Sequence, residues 1–107
     1  MSLRGADYVQ RSEAICRILK SYRVLSGLTQ DELAERLGVV QSLVSKVESR
    51  ERRLDLIELQ EYLRPLGRTV QDVLADLERI APVRPAETVE ELARDRIEAA
   101  LETDIRR

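Results

Sequence analysis

Hydrophobic positions recur every three or four residues along most of this 107-residue chain, in runs separated by glycine, proline and capping residues. The first run is Ile15, Ile18, Leu19, Tyr22 and Leu25, the spacing of one helix face. Asp7, with Gln10 three residues on, offers a capping box at its start, and Gly27 a left-handed stop at its end. Thr29 and Glu32 form a second box ahead of Leu33, Ala34 and Leu37, and Gly38 closes that helix. A third helix is expected from Gln41 to Ser49, with Val44 and Val47 facing inward. Asp55 with Glu58 repeats the box before Leu56, Leu59, Tyr62 and Leu63; Pro65 weakens the last turn and Gly67 ends it. Thr69 with Asp72 opens a fifth helix whose inner face is Val70, Val73, Leu74 and Leu77.

In "APVRPAE", residues 81 to 87, two prolines within four residues break helical pairing. Thr88 and Glu91 then cap a last amphipathic segment, with Val89, Leu92, Ala93, Ile97, Ala100, Leu101 and Ile105 on one face. There is no internal repeat and no low-complexity stretch. The pattern predicts an all-α chain: a five-helix domain over residues 7–80, a linker over 81–87, and an additional C-terminal amphipathic helix over 88–107.

Composition narrows the class. Phe and Trp are absent and Tyr occurs three times, so the core must be aliphatic. No apolar run reaches the roughly 20 residues of a membrane span and no signal-peptide core is present, so the expected setting is the cytoplasm with no membrane partner. Zero His and one Cys argue against a metal site or any other cofactor. Cys16 reads most simply as a small helix residue, redox sensing being the rarer alternative. Asp31, Glu32 and Glu35 fit the positive end of a helix dipole better than acid–base chemistry. With no histidine, no activated nucleophile and no glycine-rich phosphate loop, an enzyme is not expected. The net charge of −2 conceals an asymmetry: residues 1–53 carry a balance of +3 and residues 54–107 one of −5. A polyanion partner therefore belongs to the front half.

The stretch "TQDELAERLGVVQSLVSKVESRERR", residues 29 to 53, joins two short helices through a glycine corner and ends in arginines. Such helices bury little unless they cross closely, which the small Ala34 permits and Gly38 makes geometrically possible. Val39 is expected to plug the corner, with Val44 and Val47 holding the next helix by its apolar side. Together these positions specify a helix-turn-helix.

The segment "LTQDELAERLGVVQSLVSKVES", with its flanking "SG" and "ERRLDL", resembles the helix-turn-helix of the Cro/C1-type (XRE) family of bacterial and phage transcriptional regulators. The resemblance extends over about residues 12–80 and implies a five-helix lambda-repressor-like DNA-binding domain. It places the third helix in the major groove of double-stranded DNA, with Gln41, Ser42, Ser45 and Lys46 toward base edges. The chemistry suits those roles: Gln pairs with adenine, Lys donates to guanine and Ser adapts. Leu43 either meets a thymine methyl or packs under the following loop. Gln30 matches a phosphate-binding position, and Ser49, Arg50, Arg52 and Arg53 are expected to hold further phosphates. Arg23 and Glu48 match a structural ion pair between the first helix and the end of the recognition helix.

Two positions depart from the pattern. Val40 stands where relatives carry Ser or Thr, which removes that cap and phosphate contact unless Gln41 substitutes. Arg50 stands where Gly is common, so a different loop path is expected there. The implied function is sequence-specific transcriptional regulation, by repression from a short palindromic operator as a homodimer closed by residues 88–107. No separate effector-binding domain is expected. The alternative is an antitoxin or a phage or plasmid accessory protein, whose C-terminal helix binds a protein partner while the helix-turn-helix autoregulates its operon.

Overall fold

Local hydrogen bonds decide where most of the helices begin. In the computed structural model, which describes residues 6–83 and 97–102, the Glu32 amide donates to the Thr29 hydroxyl at 3.1 Å. The Thr29 amide returns a bond to the Glu32 carboxylate at 3.0 Å, and this reciprocal pair starts α2 (Gln30–Leu37). The same exchange between Asp55 and Glu58, at 2.7 and 2.9 Å, starts α4 (Leu56–Leu63). Thr69 and Asp72, at 3.1 and 2.8 Å, start α5 (Val70–Ile80). The remaining two helices are α1 (Ala6–Leu25) and α3 (Gln41–Glu48). Asp7 does not cap α1: the helix already includes Ala6, and Asp7 lies in its first turn, where its charge complements the helix dipole.

Gly38 ends α2 at φ 69°. A β-carbon there would meet nothing within 4 Å, so the backbone angle, not crowding, favours glycine. Pro65 has the expected effect: α4 stops at Leu63 and continues as a single 3-10 turn over Arg64–Leu66 before Gly67 reverses the chain. Residues 97–102 are also helical, and no strand occurs among the described residues. No described helix is long and apolar enough to cross a membrane.

The core lies where α1 crosses α3 and α5 and where α2 nests against α3. Ala14, Leu33, Val44 and Leu63 are fully buried, with Ile18, Leu19, Tyr22, Val47, Val73 and Leu77 around them. Ala34 is buried beside Leu33 on the inner side of α2, as its small size suggested. Three expected core residues are instead in solvent: Leu25 is 75% exposed, Leu56 62% and Leu74 52%. Leu25 is the last residue of α1 and Leu56 the first of α4, so both overhang the packed length of their helices. Leu74 sits one position beyond Val73 and falls on the flank of α5. Val39 is 37% exposed and only partly fills the corner, where its amide donates to the Ala34 carbonyl at 3.0 Å.

Ala81, assigned to the linker, is buried, and its carbonyl accepts a bond from the Arg11 guanidinium. The Thr88–Glu91 cap and linker residues 84–87 lie outside the described residues. In the helical stretch 97–102, Ile97 and Leu101 are exposed.

Two outcomes follow for stability. Ala34→Leu forces extra volume between α2 and α3 and is expected to cost about 1–3 kcal/mol in chemical denaturation; an unchanged midpoint excludes close nesting there. Backbone and side-chain bonds from Thr29 hold the Glu32 carboxyl below its ordinary value, and the Arg52 guanidinium does the same for Glu58. A depressed carboxyl contributes stability above its unfolded value and loses it as pH falls through the folded one. Melting temperature should therefore drop from about pH 5 to about pH 3, and the double variant E32Q/E58Q should flatten that part of the profile.

Candidate nucleic-acid interface

Val44 and Val47 anchor α3 by its buried side, and the helical period then turns the intervening polar residues outward. Gln41, Ser42 and Lys46 are exposed, Leu43 and Ser45 are half-buried, and Ser49 is exposed at the helix end. The face is open to a partner along its length. Leu43 also packs against the core cluster.

A chain of polar contacts fixes this face to the rest of the domain. Arg23 on α1 meets Glu48 on α3 in a two-point ion pair, Nε to Oε2 at 2.7 Å and Nη2 to Oε1 at 3.0 Å. Side-chain exposure is only 11% and 4%. Arg23 Nη1 also donates to the Leu28 carbonyl at 2.8 Å, tying in the turn before α2. The Gln30 amide donates to Glu48 Oε1 at 3.2 Å, and the Gln41 amide donates to Gln30 Oε1 at 2.7 Å. Four side chains thus link α1 through both ends of α3. The hydrogen bond to Glu48 raises the Arg23 pKa still further above its ordinary range, so the guanidinium keeps its charge. Tyr62 lies buried beneath, its phenol pushed well above the usual value by burial and then by the Glu48 charge.

Val40 gives α3 no side-chain cap, and Gln41 does not replace it, because its amide is directed to Gln30. Gln30 itself is half-buried at the start of α2, beside the first turn of α3.

The arginine run is arranged differently from a row of free cations. Arg50 takes φ 67°, the left-handed conformation that glycine adopts without cost. The amides of Glu51 and Arg52 both return to the Lys46 carbonyl, at 2.8 and 3.1 Å, and close the end of α3. The Arg50 guanidinium donates to the Val9 carbonyl at 3.3 Å and stands 4.0 Å from Glu13. Arg52 pairs with Glu58 at 2.5 Å, and Arg53 lies over the Tyr8 ring at 5.9 Å. Ser49 donates to Glu51 at 2.9 Å. All four residues are thus near the C-terminal end of α3, with Arg50 and Arg52 leaning onto α1 and α4. Sequence reasoning missed the Gln30–Gln41 bond and the Arg52–Glu58 pair. The first spans a turn, and the second has a six-residue separation that matches no helical neighbour.

A helix-turn-helix family matches residues 19–73, just over half of the chain. Among solved structures, the chain is similar to an XRE-family like protein from Pseudomonas syringae pv. tomato str. DC3000, at 43% identity and a TM-score of 0.64. That similarity covers 70% of this chain and 92% of the other. No curated protein matches significantly.

The polar chain generates a test by substitution. Glu48→Ala strands the buried Arg23 charge and is expected to cost about 3–5 kcal/mol of folding stability. The paired variant R23M/E48L removes both charges and should recover most of that loss, because an apolar pair of similar volume replaces a desolvated ion pair. Equal destabilisation by the single and double variants would show that the charges matter through something other than each other.

Proposed function

Because the chain belongs to the Cro/C1-type (XRE) helix-turn-helix family of DNA-binding transcription regulators, we propose that it is a sequence-specific repressor acting in the cytoplasm. It binds a short palindromic operator as a homodimer. The observation that carries this reading is the open face of α3, Gln41, Ser42 and Lys46, held in one orientation by the buried Arg23–Glu48 pair.

Gln41, Ser42, Ser45 and Lys46 read base edges, with Leu43 against a thymine methyl where its half-buried side chain reaches. Each well-formed base contact discriminates by about 1–3 kcal/mol. Gln30 and Gln41 act together: the bond between them holds the Gln41 amide plane so that its free edge meets an adenine, while Gln30 meets the neighbouring phosphate. Ser49, Arg50, Arg52 and Arg53 contact phosphates beyond the C-terminal end of α3. For Arg50 and Arg52 this requires exchanging the Val9 carbonyl and the Glu58 carboxylate for DNA oxygens.

One helix reads few base pairs, so a two-fold dimer with recognition helices one turn of duplex apart, ~10 bp between half-site centres, supplies the needed specificity. Residues 88–107 close that dimer in this reading. The exposed Ile97 and Leu101 support it, since an apolar helix face calls for a partner. Repression follows from occupancy of promoter DNA.

Fluorescence anisotropy against DNA flanking the gene, at several salt concentrations, tests the reading. Tight binding to one site with a steep salt dependence is expected. The double variant Q41A/K46A should keep the fold and the salt dependence yet lose about 1–3 kcal/mol of discrimination per contact removed. Equal, weak affinity for all duplexes, or an unaltered preference in the double variant, overturns the assignment.

A further inference from the structure

A half-open cleft of about 330 Å³ lies between α1 and the loop that leaves α3. Its base is apolar, formed by Leu19 and Val47 from the buried core with Ile15 and Leu59 beside them. The same lining contains three guanidiniums, of Arg50, Arg52 and Arg53, and no carboxylate. Glu13 and Glu58 approach two of these arginines from outside the cleft. Arg53, stacked on Tyr8, pairs with no described carboxylate. An apolar base under a basic rim, in which Arg53 has no described carboxylate partner, selects a ligand with the complementary division.

The backbone adds a second, independent observation. Arg50 is the one described residue other than glycine with a positive φ, a conformation that penalises a β-carbon. Its guanidinium reaches the Val9 carbonyl at 3.3 Å and stands 4.0 Å from Glu13, contacts that glycine could not supply. Here that side chain forms part of the cleft wall.

We propose that this cleft binds a small amphipathic anion, a carboxylate on an aliphatic chain of about eight carbons, at the lower end of cavity sizes that hold small ligands. The chain lies over Ile15, Leu54 and Leu59, above the buried Leu19 and Val47, and the carboxylate pairs with Arg53 and Arg50. The same guanidiniums are the proposed phosphate contacts, so an occupied cleft opposes DNA binding. This coupling rests on the DNA-binding reading, whereas ligand binding itself does not. The helix-turn-helix domain would thereby carry a ligand-responsive site of its own.

Octanoate, octanol and octylammonium serve as probes of the full chain in nitrogen-15 correlation spectra, without DNA. Octanoate should shift amides around Ile15, Cys16, Val47, Arg50 and Leu54, with a Kd on the order of 0.1–1 mM. Octanol should bind about tenfold more weakly and octylammonium not at all. Arg53→Gln, on an exposed side chain, should weaken octanoate about tenfold with melting temperature unchanged. Octanoate should also slow modification of the Cys16 thiol, which lines the cleft. Absence of cleft shifts at about 10 mM octanoate, or equal binding of all three probes, overturns the proposal. In a second arm, saturating octanoate should lower operator affinity about threefold or more. Unchanged affinity with the cleft occupied overturns the coupling, and a chain that binds no operator even without octanoate is instead a failure of the repressor reading.

Discussion

The orientation of α3 depends on a single desolvated ion pair. Arg23 and Glu48 are both nearly removed from water, which makes their contact costly to break but not, in itself, a large source of net stability. Two apolar residues of similar volume would pack there as well. What such residues could not do is direct neighbouring polar groups. Glu48 has oxygen capacity left after meeting Arg23, and Gln30 uses it; Gln30 then presents its own oxygen to Gln41. A fixed charge in the interior is thereby converted, in two steps, into a fixed amide at the surface. The charges thus orient neighbouring polar groups, which an apolar pair would leave undirected.

Much of this architecture was legible because its determinants are local. The capping boxes at Thr29, Asp55 and Thr69 each need only two residues three positions apart, and all three formed. The glycine corners at Gly38 and Gly67 are equally local. Errors fell where a helix must be placed against its neighbours. Periodicity identified the inner faces of α1, α4 and α5, but it carries no information on how far along each helix the packing extends. Leu25 and Leu56 were therefore assigned to a core that their helices outrun. Leu74 shows the related ambiguity in the width of a face. The Gln30–Gln41 bond depends on two helices meeting at a particular angle, so no pattern within either helix announces it.

The arginine run shows how charge read as a string differs from charge read in space. Residues 50–53 appear in sequence as a basic cluster ready for phosphate. In the fold, Arg52 is already satisfied by Glu58, the very carboxylate that caps α4 by bonding the Asp55 amide. Any phosphate contact by Arg52 therefore draws the guanidinium away and leaves the Glu58 carboxylate at the start of α4 without its partner. Arg53, whose guanidinium lies over the Tyr8 ring and meets no described carboxylate, is the least encumbered of the three. Phosphate affinity in this loop is accordingly expected to rest unequally on its arginines.

The negative net charge is no obstacle to binding a polyanion under this arrangement, since what matters at a duplex surface is the field within about one Debye length, roughly 8–10 Å at ordinary salt. Lys46 is exposed on α3 and the arginines follow its C-terminal end, whereas Asp72, Asp76 and Glu78 belong to α5, which packs on α1. Asp76 is occupied by the Tyr22 hydroxyl and by Arg79, and Glu78 by Arg11. Two of these three acidic groups, Asp76 and Glu78, are thus paired with arginine where they sit. These ion pairs on α5 offset part of the acidic excess, while Lys46 on α3 stays exposed.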